Sequence, residues 1–245
     1  MDESLILAGL FLVAAILYGM VGHAGASAYL AAMGLLGVAP EVMKPTALTL
    51  NILVASIVTY RFARAGFVRP LSAVPFLIGS VPAAFVGGAV TLPGDVYRPL
   101  VGAVLLFAAF RFGLTAGRPM EEFAPRAPLI LAVVSGAVIG LLAGLTGTGG
   151  GIFLTPLLIA AGWAGTRHAA GTSAIFILAN SVSGLAGNFG AVGNIPAAIP
   201  IWLAVVAVGG AVGSELGSRR LPAPWVRRGL AIVLLVAGLK LIFVP

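Results

Sequence analysis

The sequence predicts an all-α, polytopic membrane protein of two inverted repeats, and three observations lead to this fold class. First, 60% of the 245 residues are apolar and the mean hydropathy is +1.13. Second, charged residues make up only 9% of the chain, whereas soluble domains carry roughly 25%. Third, the apolar runs are continuous rather than alternating, which is typical of spanning helices. At roughly 20 residues per span, the chain holds about eight to ten hydrophobic segments.

Eight apolar runs follow one another, each bounded by charges or by Pro/Gly turns. They cover residues 4–38, 46–62, 70–91, 96–114, 128–162, 168–188, 196–217 and 224–243. The first and the fifth run are longer than one span and are interrupted by glycine-rich stretches at 22–27 and 147–151. A polar stretch divides the runs into two groups. We therefore predict a first transmembrane repeat at 1–116, a cytoplasmic linker at 117–127 and a second repeat at 128–245.

The two halves share a pattern of small residues. Three glycines of the first half recur in the second at an offset of 125, and a threonine recurs at an offset of 126. The pairs are Gly19 and Gly144, Gly22 and Gly147, Gly25 and Gly150, and Thr46 and Thr172. A glycine triplet followed by a threonine in both halves predicts an internal repeat.

The basic residues decide between two arrangements of the interrupted runs. If every run spans once, the 14 basic residues divide seven and seven between the two sides, and no orientation is favoured. If the runs at 4–38 and 128–162 double back at their glycines, the cytoplasmic side holds eleven. The other side then keeps Lys44, Arg98 and Lys240. Because cytoplasmic loops are rich in Lys and Arg, the doubled-back arrangement is predicted.

Doubling back determines the topology. Each repeat then has a re-entrant first segment followed by three transmembrane helices, and each half crosses the bilayer an odd number of times. The second half is therefore inverted relative to the first, and both termini lie on the non-cytoplasmic side of the plasma (inner) membrane. Inverted repeats with broken helices are a common plan of secondary transporters, in which the substrate binds between the breaks.

The second glycine-rich stretch carries a family resemblance. It reads Gly-Leu-Leu-Ala-Gly-Leu-Thr-Gly-Thr-Gly-Gly-Gly-Ile-Phe-Leu-Thr-Pro-Leu from Gly140, and Ala-Ala-Gly-Thr-Ser follows from Ala169. This resembles the sulfite exporter TauE/SafE family, whose members carry G-x-x-G-x-G-G-G-x-x-x-x-P followed by a helix start similar to (A/V)-G-T-S. The first half keeps the three glycines, but Ala24, Ala26 and Ala31 replace Gly, Gly and Pro. The resemblance implies export of sulfite and related sulfur-containing anions, including organosulfonates.

A helix break at membrane depth exposes backbone groups that need partners, and this predicts the substrate site. The helix that begins after Gly151 aims free N–H groups and a positive dipole end at the break, which suits a sulfite or sulfonate group. Thr146, Thr148 and Thr155 add hydroxyl donors. The predicted substrate-binding residues are Gly22, His23, Gly25, Ser27, Thr46, Asn51, Thr146, Gly147, Thr148, Gly149, Gly150, Gly151, Thr172, Ser173 and Asn180, with Thr46 and Thr172-Ser173 at helix starts.

Close helix packing is the alternative explanation of these glycines. We prefer it for two stripes with four-residue spacing, because such spacing places small residues along one face of a helix. The stripes are Gly79-Ala83-Gly87 and Gly209-Gly213-Gly217.

A few ionisable residues are candidates for other roles. His23 and Glu215 are candidates for proton coupling, since an ionisable group in a membrane is a functional candidate by default. A neutral histidine bonded to a carbonyl, and an ion pair of Glu215 with Arg219 at i+4, are the alternatives. Lys44 either attracts anions or anchors the chain at the interface, and His168 is expected at an interfacial helix start.

Composition limits the remaining chemistry. The absence of cysteine and the presence of two histidines and seven acids argue against disulfides and metal sites, and no cofactor is predicted. The net charge of +7 is attributed to orientation in the lipid bilayer and not to nucleic acid. The sequence has no G-x-x-x-x-G-K-[ST] motif, so a gradient rather than a nucleotide is expected to drive transport.

The sequence thus predicts a secondary carrier, and not an enzyme, for a small anion of the sulfite and sulfonate class. A passive anion channel of the same architecture would use the same residues and remains an alternative. An intramembrane enzyme is disfavoured, because Ser27 and His23 are separated by a glycine break and have no acid nearby in sequence. No oligomeric state is predicted.

Overall fold

The computed structural model describes residues 3–114, 127–219 and 224–243, and every regular element in them is a helix. The first half contains α1 (Glu3–Met20), α2 (Ala26–Leu35), α3 (Pro40–Arg64), α4 (Pro70–Ala89) and α5 (Gly94–Leu114). The second contains α6 (Leu129–Thr146), α7 (Gly151–Ala160), α8 (Thr166–Gly187), a 3-10 helix (Phe189–Asn194), α9 (Ile199–Arg219) and α10 (Pro224–Phe243). Apart from Ala127, the predicted linker lies outside the described residues.

Six of the described helices are long and apolar enough to cross a bilayer, namely α1, α3, α4, α6, α8 and α9. Their outer faces are apolar as well. On α4, Leu71, Ile78 and Phe85 follow one another at intervals of seven residues and are 79%, 59% and 50% exposed. Such a stripe suits contact with lipid tails and not with water. The predicted class, an all-α polytopic membrane protein, is confirmed.

Helix lengths recur in the two halves. α1 and α6 have 18 residues each, and α2 and α7 have 10 each, so both interrupted runs are broken where the sequence predicts. Each break contains glycines in the left-handed region, and one of them directly precedes the second helix. Gly22 and Gly25 have φ of 78° and 104°, and Gly147 and Gly150 have 84° and 81°. Side chains rarely tolerate these values, which explains why glycine recurs at these positions.

The halves interlock rather than stand side by side. The first helix of each half packs on the fourth helix of the other, as α1 with α9 and α6 with α4. α3 packs on α8, and α5 packs on α10. α3 and α8 are the most buried spans, with 61% of their apolar windows inside the protein, so they form the centre of the bundle.

Glycines allow the close packing of α4 on α6 and of α9 on α1. A Cβ at Gly79 or Gly87 would lie 2.1 or 2.4 Å from a carbonyl oxygen of α6, and one at Gly213 would lie 2.1 Å from a carbonyl oxygen of α1. The prediction that both glycine stripes serve helix packing is confirmed. The contacts also run in the same order along both partners. Gly136, Gly140 and Gly144 meet Phe76, Ser80 and Ala84, while Gly209, Gly213 and Gly217 meet Leu12, Ile16 and Met20. Each pair of helices is therefore parallel.

One prediction of a helix boundary is wrong. Thr46 and Thr172 do not lie at helix starts, because α3 begins at Pro40 and α8 at Thr166, so each threonine is the seventh residue of its helix. Pro45 misled the prediction, since it lies inside α3. As the sixth residue of α3, Pro45 lacks the N–H that would donate to the carbonyl oxygen of Glu41, and the helix continues despite the loss of this one hydrogen bond.

Candidate functional site

The break between α6 and α7 presents a row of free backbone donors. From Thr148 to Ile152, five consecutive N–H groups make no hydrogen bond to any described residue. Gly149 and Gly150 turn the chain with φ of 73° and 81°, and α7 then begins at Gly151 without a side-chain cap. Successive N–H groups in left-handed turns, followed by a helix start, form a concave array that binds anions. We call this array the backbone nest.

Two polar side chains of the central helices border the backbone nest. A Cβ on Gly149 would lie 2.4 Å from Nδ2 of Asn51 and 2.9 Å from Oγ of Ser181, so only glycine fits there. Nδ2 of Asn51 donates to that Ser181 oxygen over 2.8 Å. Sequence reasoning identified Asn51 but missed Ser181, whose one signal was a hydroxyl directly after Asn180 in an apolar run.

The break between α1 and α2 has fewer free donors. The N–H groups of Gly22 and His23 donate to carbonyl oxygens of the last turn of α1, over 3.2 and 2.9 Å. The N–H of Ala26 donates to Oδ1 of Asn51 over 3.2 Å. Gly22 also packs against α8, where an added Cβ would lie 2.4 Å from Cβ of Ala170. The two breaks are therefore alike in backbone shape but differ in the donors they offer.

His23 joins the two breaks. Its Nε2 lies 3.0 Å from the carbonyl oxygen of Gly151 and 3.1 Å from Oγ1 of Thr155, and its ring is buried. Thr155 in turn donates to Oγ of Ser173 on α8 over 2.7 Å. Nδ1 of His23 lies 3.2 Å from the carbonyl oxygen of Val21. One side chain of the first break thus reaches both the start of α7 and, through Thr155, the centre of the bundle.

The other predicted hydroxyls divide into two groups. Oγ1 of Thr146 lies 3.0 Å from Oγ1 of Thr148, so this pair is directly beside the backbone nest. Ser27 is instead turned towards α1, where its Oγ donates to the hydroxyl of Tyr18 over 2.9 Å. The structure therefore groups the threonine pair with the second break and places Ser27 in a buried contact between α1 and α2.

Two predicted residues on the central helices have unpaired polar atoms. Oγ1 of Thr46 and Oδ1 of Asn180 are fully buried and have no hydrogen-bond partner within the described ranges. Buried polar atoms are nearly always paired, with protein or with bound molecules. Thr172, the repeat partner of Thr46, lines a cavity at the end of the bundle where α4 and α8 begin.

Lys44, for which the sequence leaves open an anion attractor and an interfacial anchor, is a buried donor at the end of α4. It is only 6% exposed, and its Nζ donates to the carbonyl oxygens of Gly87, Gly88 and Val90 over 3.3, 2.8 and 3.0 Å. The last carbonyls of α4 lack helical partners and carry the negative end of the dipole, so they attract this ammonium group. Its backbone lies against Gly147, which places this clamp directly beside the second break.

Glu215 forms an ion pair, but with a different residue from the one predicted. It pairs with Arg61 of α3, while the side chain of Arg219 lies outside the described residues. The pair joins the C-terminal parts of α3 and α9, so Glu215 is not among the residues that the breaks bring together. His168, expected at a helix start, is the third residue of α8, with Nδ1 donating to the carbonyl oxygen of Phe67 over 3.2 Å.

Apolar spans around two polar breaks describe a polytopic membrane transporter in general terms, and the comparisons with known proteins agree. The sulfite exporter TauE/SafE family matches residues 6–241, and the chain belongs to that family. The chain is also 41% identical over 244 residues to the probable membrane transporter protein y4hK of Sinorhizobium fredii, covering 98% of this chain and 99% of that one. No solved structure matches the chain.

Proposed function

We propose that the protein is a secondary transporter that exports small sulfur-containing anions, such as sulfite or organosulfonates, across the plasma (inner) membrane. The main support for this proposal is the backbone nest, whose five N–H groups from Thr148 to Ile152 make no hydrogen bond to a described residue. A sulfite or sulfonate group has three oxygens that accept hydrogen bonds. Backbone N–H donors carry no full charge, so they bind such a group without forming a strong charge pair that would oppose its release.

We propose that the two halves are inverted repeats. The direction of the helices supports this. α1 runs parallel to α9 and α6 runs parallel to α4. α4 follows α3 by a short loop, and the pair of Arg61 with Glu215 joins the end of α3 to the end of α9, so α4 and α9 run in opposite directions. It follows that α1 and α6 also run in opposite directions.

A re-entrant form of the first segment has similar support. α1 begins beside the start of α9, where Nε1 of Trp202 donates to the carbonyl oxygen of Ser4 over 3.1 Å. α2 ends beside the end of α10, where Lys240 donates to the carbonyl oxygen of Leu35. Since α10 returns from the end at which α9 finishes, both contacts lie at the same end of the bundle. The opposite end carries Arg61, Arg64, Arg69 and Arg167 and is assigned to the cytoplasm.

We assign proton coupling to His23 rather than to Glu215, which is held in its ion pair. Both ring nitrogens of His23 lie within 3.2 Å of backbone carbonyl oxygens, of Val21 and of Gly151. Carbonyl oxygens only accept, and a neutral imidazole has one N–H, so the protonated ring satisfies both contacts and the neutral ring only one. Proton uptake therefore adds a hydrogen bond at His23, whichever nitrogen carries the proton of the neutral ring.

Flux measurements in proteoliposomes test the proposal. The panel contains sulfite, thiosulfate, sulfate and ethanesulfonate, each with and without a pH gradient, against protein-free liposomes. We expect uptake of sulfite or ethanesulfonate against its gradient, driven by the pH difference, and loss of that drive in His23→Gln with exchange retained. Flux that only follows the anion gradient would reject coupled transport and leave passive transport, the class to which the channel alternative belongs. Absence of flux for the whole panel would reject the substrate class.

A further inference from the structure

A cavity of about 210 Å³ lies apart from the breaks, at the end of the bundle where α4, α6 and α8 begin and α7 ends. We call it the end cavity. The lining residues that bear on its chemistry are Arg69, Ser72, Phe76, Trp163, His168 and Thr172.

The charges around the end cavity favour an anion. Arg69 supplies a permanent positive charge, and none of the residues that line the cavity is acidic. Three helix starts border it, and none of them has a side-chain cap. Helix starts carry free N–H groups and a positive dipole end, so Arg69 and the three helix starts all favour a negatively charged ligand.

Thr172 gives an independent indication of a ligand. It is only 3% exposed, it lines the end cavity, and its hydroxyl makes no hydrogen bond to another residue of the described ranges. This hydroxyl is therefore available to pair with a hydrogen-bonding group in the cavity.

The remaining walls are apolar and limit the size of the ligand. The rings of Phe76 and Trp163 lie 6.3 Å apart and are tilted by 47°, and Pro75 and Leu158 extend this surface. At about 210 Å³, the end cavity is smaller than the roughly 300 Å³ at which pockets for drug-sized ligands begin. A charged group with a short hydrocarbon tail fits both the walls and the size.

We propose that the end cavity is a second binding site, which takes a small organic anion with its charged group among Arg69, Ser72 and Thr172 and its tail on Phe76 and Trp163. Binding itself is independent of transport. Its use as the entry position for a transported anion rests on the proposed function. The route from it is short, since Thr172 is followed by Ser173, which is hydrogen-bonded to Thr155 beside His23.

Tryptophan fluorescence tests this site in the purified full-length protein. Replacing Trp202 and Trp225 by Phe leaves Trp163, in the cavity wall, as the reporter. We expect propane-1-sulfonate to change the emission saturably, and n-propylammonium, which has the same tail and the opposite charge, to have no effect. Arg69→Gln and Thr172→Val should each raise the Kd about tenfold, which corresponds to one charge-assisted or buried hydrogen bond. Arg64→Gln, at the same end but outside the cavity, is the matched control.

Thermal stabilisation of the unmodified protein by propane-1-sulfonate repeats the test without the Trp replacements. Absence of saturable binding in both measurements overturns the proposal, as does equal binding of n-propylammonium. Equal Kd values in Arg69→Gln and Arg64→Gln overturn it too. If sulfonate flux occurs without binding in the cavity, this site alone is refuted. If the end cavity binds propane-1-sulfonate but none of the anions in the flux measurements is transported, the proposed function alone is refuted.

Discussion

At the residue scale, the polar side chains inside the bundle are held by partners from distant parts of the chain. Lys44 donates to three carbonyl oxygens at the end of α4 while its own backbone lies against Gly147 of the second break. Asn51 accepts from the start of α2 and donates to Ser181 of α8. These residues fix the position of the breaks relative to the helices around them.

Replacing Lys44 by methionine should destabilise the protein. Methionine keeps much of the packing volume but leaves three carbonyl oxygens without their charged donor. Hydrogen bonds to charged groups contribute roughly 1.5–3 kcal/mol, so we expect a loss of about 2 kcal/mol. Thermal unfolding in detergent measures it, with Arg64→Met on the exposed part of the same helix as the control. Equal melting temperatures for the two variants would contradict the role given to Lys44.

The sequence predicts some of these residues and not others, for a physical reason. Gly149 and His23 could be predicted because a glycine break in an apolar run is visible locally. The partners of Lys44 and Glu215 could not, because they lie 43 to 46 and 154 residues away. A charge within an apolar run shows that a partner exists, whereas the identity of that partner depends on how the helices pack.

At the scale of elements, glycines in the long helices allow backbones to touch. Gly140 of α6 faces α4, and a Cβ there would lie 2.3 Å from the carbonyl oxygen of Ser80. Gly9 of α1 is also inside a long helix but has nothing within 4 Å of an added Cβ. A substitution at either glycine changes helix propensity, but only one at Gly140 also disturbs a contact between two helices.

Gly140→Val should therefore destabilise the protein far more than Gly9→Val. The larger side chain forces α6 away from α4, and overpacking of this kind is unfavourable by about 3 kcal/mol. At an exposed site we expect a change within about 0.5 kcal/mol. Melting temperatures of the two variants in the same detergent give the comparison. Similar values would mean that α4 and α6 are not in close contact.

The broken runs are the elements that the sequence predicts best. Their apolar length exceeds one span, and their glycines are clustered, so the break and its position follow from local pattern. The start of α3 is predicted poorly. A proline usually marks a helix boundary, so Pro45 predicts a start at Thr46, whereas the helix has already begun at Pro40. A proline near a helix start is tolerated, and only the neighbouring contacts show on which side of it the helix begins.

At the scale of the whole molecule, the interlocking of the halves determines where each loop lies. The chain has no cysteine, so single cysteines report loop positions cleanly. In the doubled-back arrangement, Ala65 and Ala161 are cytoplasmic, and Thr91 and Asn194 are external. If each run spanned once, the members of each pair would lie on opposite sides.

Impermeant thiol reagents should therefore label Thr91→Cys and Asn194→Cys in intact cells, and label Ala65→Cys and Ala161→Cys only after permeabilisation. Activity of each variant in proteoliposomes serves as the control for correct folding. External labelling of Ala161→Cys together with protection of Asn194→Cys would refute the inverted arrangement.

One pair of variants separates the role of the backbone nest in anion binding from the effect of backbone strain. Gly149 and Gly162 have nearly the same φ, 73° and 70°, but an added Cβ meets Asn51 at the first and nothing within 4 Å at the second. Backbone strain is thus matched, and only Gly149→Ala disturbs the row of N–H donors. With equal amounts of protein reconstituted, we expect anion flux to fall at least about tenfold in Gly149→Ala, the equivalent of one lost hydrogen bond to a charge, and to persist in Gly162→Ala. Equal flux in the two variants would show that the backbone nest does not bind the transported anion.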